Sequence, residues 1–143
     1  YYFKGQLDQA IFDFTRAIEI NPRYAEAYYD RGRVYSKRKG QLDQAIFDFT
    51  RAIEINPRYA EAYFNRAGAY VEKDQYDQAI SDLTRVIELD PEDPEAYNNR
   101  AVAYYYQGEY DKAWEDVYRA QSLGFQVHPI LLNALSEASG RQR

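Results

Sequence analysis

The sequence predicts an all-α solenoid of antiparallel helix pairs, and three observations predict it. Residues Lys4 to Tyr28 recur without a change as Lys39 to Tyr63, a shift of 35. Ala10, Ala45, Ala79 and Ala113, each inside Asp-Gln-Ala or Asp-Lys-Ala, carry that frame along the chain at intervals of 35, 34 and 34. Tyrosine supplies 16 of 143 residues, more than one ordinary core uses, and repeats that reuse one tyrosine column account for the excess.

The elements follow in order. Tyr1 to Lys4 reads as the tail of a first helix whose beginning is missing. Each later period then holds two amphipathic segments. The first kind runs from Ala25 to about Lys37 and recurs at Ala60 to Lys73 and Pro94 to Gln107. The second runs from Leu42 to Ile55 and recurs at Tyr76 to Leu89 and Tyr110 to Leu123. In the second kind Leu42, Ala45, Ile46, Phe49, Ala52 and Ile53 keep the three-and-four spacing of one helical face. Asn21-Pro22, Asn56-Pro57 and Asp90-Pro91 close the units, because the residue before proline is driven out of the α region. Asp93-Pro94 has the chemistry of an N-cap followed by proline in the first turn. Short turns at Lys39-Gly40 and Gln107-Gly108 make each pair antiparallel. The loop from Lys37 to Gly40 carries one extra residue and is expected to be longer and basic, with the fold unchanged. Gly124 suits a helix C-terminus, and Ile130 to Ala138 reads as a last helix that covers the open end of the stack. The division is a partial leading repeat over 1–24, repeats over 25–59, 60–93 and 94–127, and a capping helix and tail over 128–143.

Composition narrows the function. With no cysteine there is no disulfide, thiolate metal site or cysteine nucleophile. One histidine, His128, cannot assemble a multi-histidine zinc site, and placed before Pro129 it reads as a helix-start residue. A net charge of −5 argues against a general nucleic-acid binder. No apolar run is long enough to insert this segment into a bilayer. The absence of methionine, the initiator included, predicts a piece of a longer chain. No phosphate-binding loop, nucleophile elbow or dinucleotide fingerprint occurs, and no carboxylate pair sits in a recognisable acid–base motif, so no enzyme, cofactor or metal is expected.

The phased residues resemble the tetratricopeptide repeat (TPR) family, whose pattern is an aromatic, a small residue, tyrosine, alanine, a large apolar residue, alanine and proline. Here Tyr28, Gly32, Tyr35, Ala45, Phe49, Ala52 and Pro57 carry it. The next copy has Tyr63, Ala67, Tyr70, Ala79, Leu83, Val86 and Pro91. The third has Tyr97, Ala101, Tyr104, Ala113, Val117 and Ala120, then Phe125 in place of proline. The small residues let paired helices approach closely. The resemblance implies a right-handed superhelix whose first helices line a concave groove. It also implies a scaffold that holds a peptide or segment of a partner protein in that groove. The alternative reading is a self-assembling module that oligomerises through its ends or its convex flank.

The groove positions are those that packing leaves over: Tyr29, Asp30 and Arg33, then Phe64 and Asn65, then Asn98, Asn99, Val102, Tyr105 and Tyr106. Asn65 and Asn99 share a column, and an amide there can donate to and accept from a peptide backbone at once. Some family members clamp the acidic tails of heat-shock chaperones with lysines, asparagines and an arginine. Tyr29, Arg33, Glu95 and Asn99 replace most of that set and only Asn65 matches, so such a tail is not the expected ligand. Arg31, Arg66 and Arg100 repeat opposite a column of Asp13, Asp48, Asp82 and Asp116, which reads as structural pairing. The expected pairs are Arg66 with Asp82 or Asp48, and Arg100 with Asp116 or Asp82. Phe12 and Phe47 fall outside the apolar face and mark a candidate flank for self-association.

Overall fold

The computed structural model describes residues 4–140. Over them the chain forms eight helices and no strand: α1 (Lys4–Ile20), α2 (Ala25–Ser36), α3 (Leu42–Ile55), α4 (Ala60–Glu72), α5 (Tyr76–Leu89), α6 (Pro94–Gln107), α7 (Tyr110–Ser122) and α8 (Pro129–Ser139). The helix starts expected at Ala25, Leu42, Ala60, Tyr76, Pro94 and Tyr110 are all observed. One expectation needs correction. Lys4, read as the tail of a preceding helix, instead belongs to α1, which passes through Gly5 without a break. Tyr1 to Phe3 lie outside the described residues.

The chain divides into two compact units, Tyr1–Lys73 and Asp74–Arg143. In the first, α2 packs between α1 and α3, and α4 packs on α3. Its tightest point is Gly32. A Cβ built there would lie 2.8 Å from Phe49 Cε1 and 3.3 Å from the Ala45 carbonyl oxygen, so the α2–α3 approach needs a residue without a side chain. Phe49, Ala45 and Ala52 are fully buried around it.

The second unit packs α5, α6, α7 and α8 in sequence. Tyr97, Ala101, Ala113, Trp114, Val117 and Ala120 share one core with Leu132 and Leu135 of α8. Trp114 Nε1 also donates to Ser139 Oγ at 3.0 Å, which joins α7 to the far end of α8. The last helix therefore covers α7 as the sequence predicts. Burying leucines such as Leu132 and Leu135 contributes about 1.5–3 kcal/mol each.

Local signals explain the boundaries. Asn21, Asn56 and Asp90 each turn a side-chain oxygen back on the N–H two residues ahead, at 3.1 Å in all three turns. Asp93 Oδ1 accepts from the N–H groups of Glu95 and Ala96, with Pro94 in the first turn, as its N-cap chemistry predicts. His128 Nδ1 accepts from Ile130 N at 3.1 Å and so starts α8. α7 ends in a Schellman motif. Gly124 sits at φ +87°, its N–H bonds the Gln121 carbonyl, and the Phe125 N–H reaches back to the Ala120 carbonyl.

The charged column is a three-helix staple. Arg31 makes a two-pronged bond to the buried Asp48 at 2.7 and 2.8 Å and donates to Thr15 Oγ1 at 3.0 Å, tying α2 to both α3 and α1. Arg100 repeats this in the second unit, with Asp116 at 2.8 Å twice and Thr84 at 3.1 Å. Arg66 donates to Thr50 at 3.0 Å. Each guanidinium also lies within 6 Å of the tyrosines three residues before and four after it, such as Tyr28 and Tyr35 around Arg31. The tyrosine columns are thus flanks for the arginines as well as fillers. Burial pushes the Asp116 carboxyl up while Arg100 pulls it down, so desolvation offsets much of the pair's attraction.

Candidate functional site

In the first unit the groove residues come from α2 and α4. Tyr29, Asp30 and Arg33 follow one another at helical spacing on α2, and Phe64 and Asn65 lie at the middle of α4. Asn65 Nδ2 donates to the Tyr29 hydroxyl at 2.9 Å and to the Glu61 carbonyl at 2.8 Å. Both bonds use the amide nitrogen, so the amide oxygen is the atom left to accept. Tyr29 is half-buried and does more than line a surface. Its ring centre lies 5.9 Å from that of Phe49 and 5.0 Å from that of Tyr59. It therefore belongs to the packing set, contrary to the division of roles read from the sequence.

Charge surrounds the Tyr29–Tyr59 pair. Burial pushes the Tyr59 hydroxyl far up, with the carboxylates of Glu26, Asp30 and Glu61 adding to it. The Tyr29 hydroxyl is also raised, first by burial, with Arg33 pulling it back down. The Arg33 guanidinium sits 5.7 Å from the Tyr29 ring centre and 3.6 Å from Asp30. Asp30 and Arg33 also face a cleft of about 470 Å³ between α1 and α2, lined in addition by Leu7, Ala10, Phe14 and Val34. Tyr29 thus joins the first-unit set: Asn65 bonds its hydroxyl and Arg33 lies over its ring, while Asp30 and Arg33 also line the cleft beside α1.

In the second unit all five residues lie on α6. Asn98, Val102, Tyr105 and Tyr106 follow the four-and-three spacing of one face, with Asn99 beside them. Asn98 Nδ2 donates to Asn99 Oδ1 at 3.4 Å, while Asn98 Oδ1 is shielded from solvent and has no hydrogen-bond partner among the described residues. Tyr106 is 58% exposed and stacks on Tyr76, ring centres 5.2 Å apart with planes 10° from parallel. Tyr105 meets Tyr106 edge-on at 5.3 Å and packs against the core with its other side. The result is a small aromatic shelf at the C-terminal end of α6, about two helical turns from the two amides.

Two members of these surfaces, Tyr59 and Tyr76, are not among the positions read from the sequence. Tyr59 lies in the turn before α4, and its one signal was the exact repeat of Tyr24. Tyr76 opens α5 and donates to Asp74, which raises its hydroxyl pKa. No group of three or more His, Cys, Asp or Glu side chains among the described residues could hold a metal ion. No helix among them is long and apolar enough to cross a membrane.

Paired helices repeating every 34 or 35 residues, with small residues at the close approaches, define a helical-hairpin repeat protein. The family model described as TPR repeat matches residues 1–39, 37–74 and 67–108, and the one described as tetratricopeptide repeat matches 94–123. The chain belongs to the tetratricopeptide repeat family. No curated protein sequence matches it significantly. Among solved structures it is similar to MamA, at 26% identity over 96% of this chain and 75% of that one, with a TM-score of 0.83. The first TPR of Spaghetti (RPAP3), solved with the HSP90 peptide SRMEEVD, shares 26% identity over 81% of this chain and 90% of that one, TM-score 0.72. The second TPR of Spaghetti, with the same peptide, shares 31% identity over 69% and 91%, TM-score 0.65.

Proposed function

We propose that the chain is a protein-interaction scaffold that binds a peptide or segment of a partner protein on the faces of its first helices. Tyr29, Asp30, Arg33, Phe64 and Asn65 serve in the first unit, and Asn98, Asn99, Val102, Tyr105 and Tyr106 in the second. The observation that carries this reading is the exposed Tyr106 ring, stacked on Tyr76 and met edge-on by Tyr105. The stacked tyrosines supply the apolar contact that anchors such a ligand. That the Spaghetti repeats hold a peptide supports the same use of this fold. The ligand differs, however. Glu95 and Asn99 stand where a basic clamp would need lysine and arginine, so an acidic tail is disfavoured.

Selection of binding peptides from a random library, followed by calorimetric titration, tests this. Asn98→Ala and Tyr106→Ala should each weaken selected peptides, the double change should abolish binding, and Tm should barely move. SRMEEVD should not bind. Unchanged affinity in the double variant would remove the binding surface from α6. A second reading, self-assembly through the flank, has one observation in its favour: Phe12 and Phe47 are 60% and 61% exposed at equivalent positions. Sedimentation of a Phe12→Ser, Phe47→Ser variant separates the two readings, because only self-assembly predicts a smaller particle.

A further inference from the structure

An aspartate near the start of one helix bonds a side chain at the end of the next but one, 30 residues on, and the chain repeats this contact three times. In the first unit the partner is a cation: Asp8 meets Arg38 at 2.8 Å, and Asp43 meets Lys73. In the second unit Asp77 Oδ1 accepts from the neutral Gln107 amide instead. Nothing in that contact balances the carboxylate, and Oδ2 is left to accept.

The same junction differs in its aromatics. The residues just before the three pairs are Leu7 and Lys37, then Leu42 and Glu72, then Tyr76 and Tyr106. The two tyrosines stack, and Tyr106 stays 58% exposed. Asp74 brings a further carboxylate to the rim, where it accepts from the Tyr76 hydroxyl at 2.8 Å. Cations of the same unit are engaged elsewhere. Arg85 bonds Glu88, Arg100 bonds Asp116, Arg119 lies 3.6 Å from Glu92, and Lys112 sits over Tyr104. From Asp74 onwards there are thirteen Asp and Glu against six Lys and Arg, while up to Lys73 there are ten against twelve. The whole net charge of −5 therefore arises in the unit that carries the shelf.

The chain also shows which group suits tyrosine and aspartate together. Arg31 and Arg100 each fork onto a carboxylate while their guanidinium groups lie 5.7–5.9 Å from tyrosine ring centres. Resting on the reading of the tyrosine shelf as a peptide surface, we infer that its ligand is a basic segment of a partner protein with an arginine seated there. The guanidinium lies against the open part of the Tyr106 ring and donates to Asp77 Oδ2.

The probes are the peptides that a random library yields against the full chain, sequenced and resynthesised. Arginine should be enriched among them. Replacing it by citrulline, which keeps the shape and removes the charge, should weaken binding about tenfold. Lysine, which keeps the charge without the planar face, should weaken it less. Asp77→Asn should cost the arginine peptide a similar factor and the citrulline peptide almost nothing, as a direct pair requires. Asp77 is exposed, and thermal melts check that the variant keeps its fold. Peptides that need Tyr106 but lack arginine, or that tolerate citrulline, overturn this inference and leave the peptide surface standing. Indifference of the arginine peptide to Asp77→Asn overturns it as well. Binding that survives Tyr106→Ala, or a library that yields no peptide, overturns both.

Discussion

Leu7–Ile20 and Leu42–Ile55 are the same fourteen residues, in the same unit, and both are helical. Yet α3 buries Ala45, Asp48, Phe49 and Ala52, and α1 buries nothing. The difference lies in the neighbours: α3 packs closely on both α2 and α4, whereas among the described helices the close packing of α1 is on α2. A periodic pattern therefore specifies which face can be buried, and tertiary contact decides whether it is. Stability follows the contact. Phe49→Ala should cost about 3–5 kcal/mol, because it empties a closed site. Phe14→Ala should cost about 1 kcal/mol or less, since its ring is already partly in water. Denaturant unfolding of the two variants measures the contrast, and equal losses would break the comparison.

The aspartates sharpen it. Removing Asp48 leaves the Arg31 guanidinium, only 15% exposed, without its carboxylate. Breaking such a pair from one side costs about 3 kcal/mol or more. Asp13→Ala removes an exposed carboxylate and should change stability by no more than about 0.5 kcal/mol. Thermal melts of both variants suffice. A large loss for Asp13→Ala would mean that α1 is held by more than α2.

Most of the fold was legible because packing repeats. The helix starts, the Asp93 cap, the Gly124 terminus and the covering role of α8 all depend on chemistry local to a few residues. The arginine–aspartate column was legible for the same reason, and Arg31–Asp48 and Arg100–Asp116 bear it out. Its third member was not: Thr15 and Thr84 accept from those arginines across helices, and a threonine within a helix carries no such signal. The site was harder to read. Tyr29 packs on Phe49 as well as facing outward, and Tyr59 reaches it from a turn, where helical spacing gives no guidance. That Asp30 and Arg33 also line the cleft beside α1 follows from the packing of α2 on α1, which helical spacing alone could not reveal.

Glycines divide by contact in the same way. Gly32→Ala gains up to about 1 kcal/mol of helix propensity but drives a methyl into the buried Phe49 ring, which costs about 1–3 kcal/mol. A net loss of about 1 kcal/mol is expected. Gly68 lies in α4 with nothing within 4 Å of a built Cβ, so Gly68→Ala should stabilise by about 0.5–1 kcal/mol. Opposite shifts in the midpoint of urea unfolding check the pair, and a stabilised Gly32→Ala would show that the α2–α3 contact can relax.

The smallest effect isolates the backbone. Lys4-Gly5-Gln6-Leu7 and Lys39-Gly40-Gln41-Leu42 are the same four residues in two conformations. Gly40 sits at φ +80° in the turn where the chain reverses so that α3 can fold back on α2. Gly5 is an ordinary helical residue of α1, and no described helix precedes it to require a reversal. Neither glycine has a neighbour within 4 Å of a built Cβ, so packing cannot distinguish alanine at the two sites. Only backbone conformation remains. Alanine at position 40 must enter the left-handed region and should destabilise by about 1 kcal/mol. Alanine at position 5 relieves the entropic cost of glycine in a helix and should stabilise by at most about 0.5–1 kcal/mol, less if the first turn frays. Opposite signs from the same substitution in the same tetrapeptide are the expected result of paired urea titrations. If Gly5→Ala also destabilises, position 5 adopts the turn geometry of Gly40 in solution, and α1 begins at Leu7 as α3 begins at Leu42.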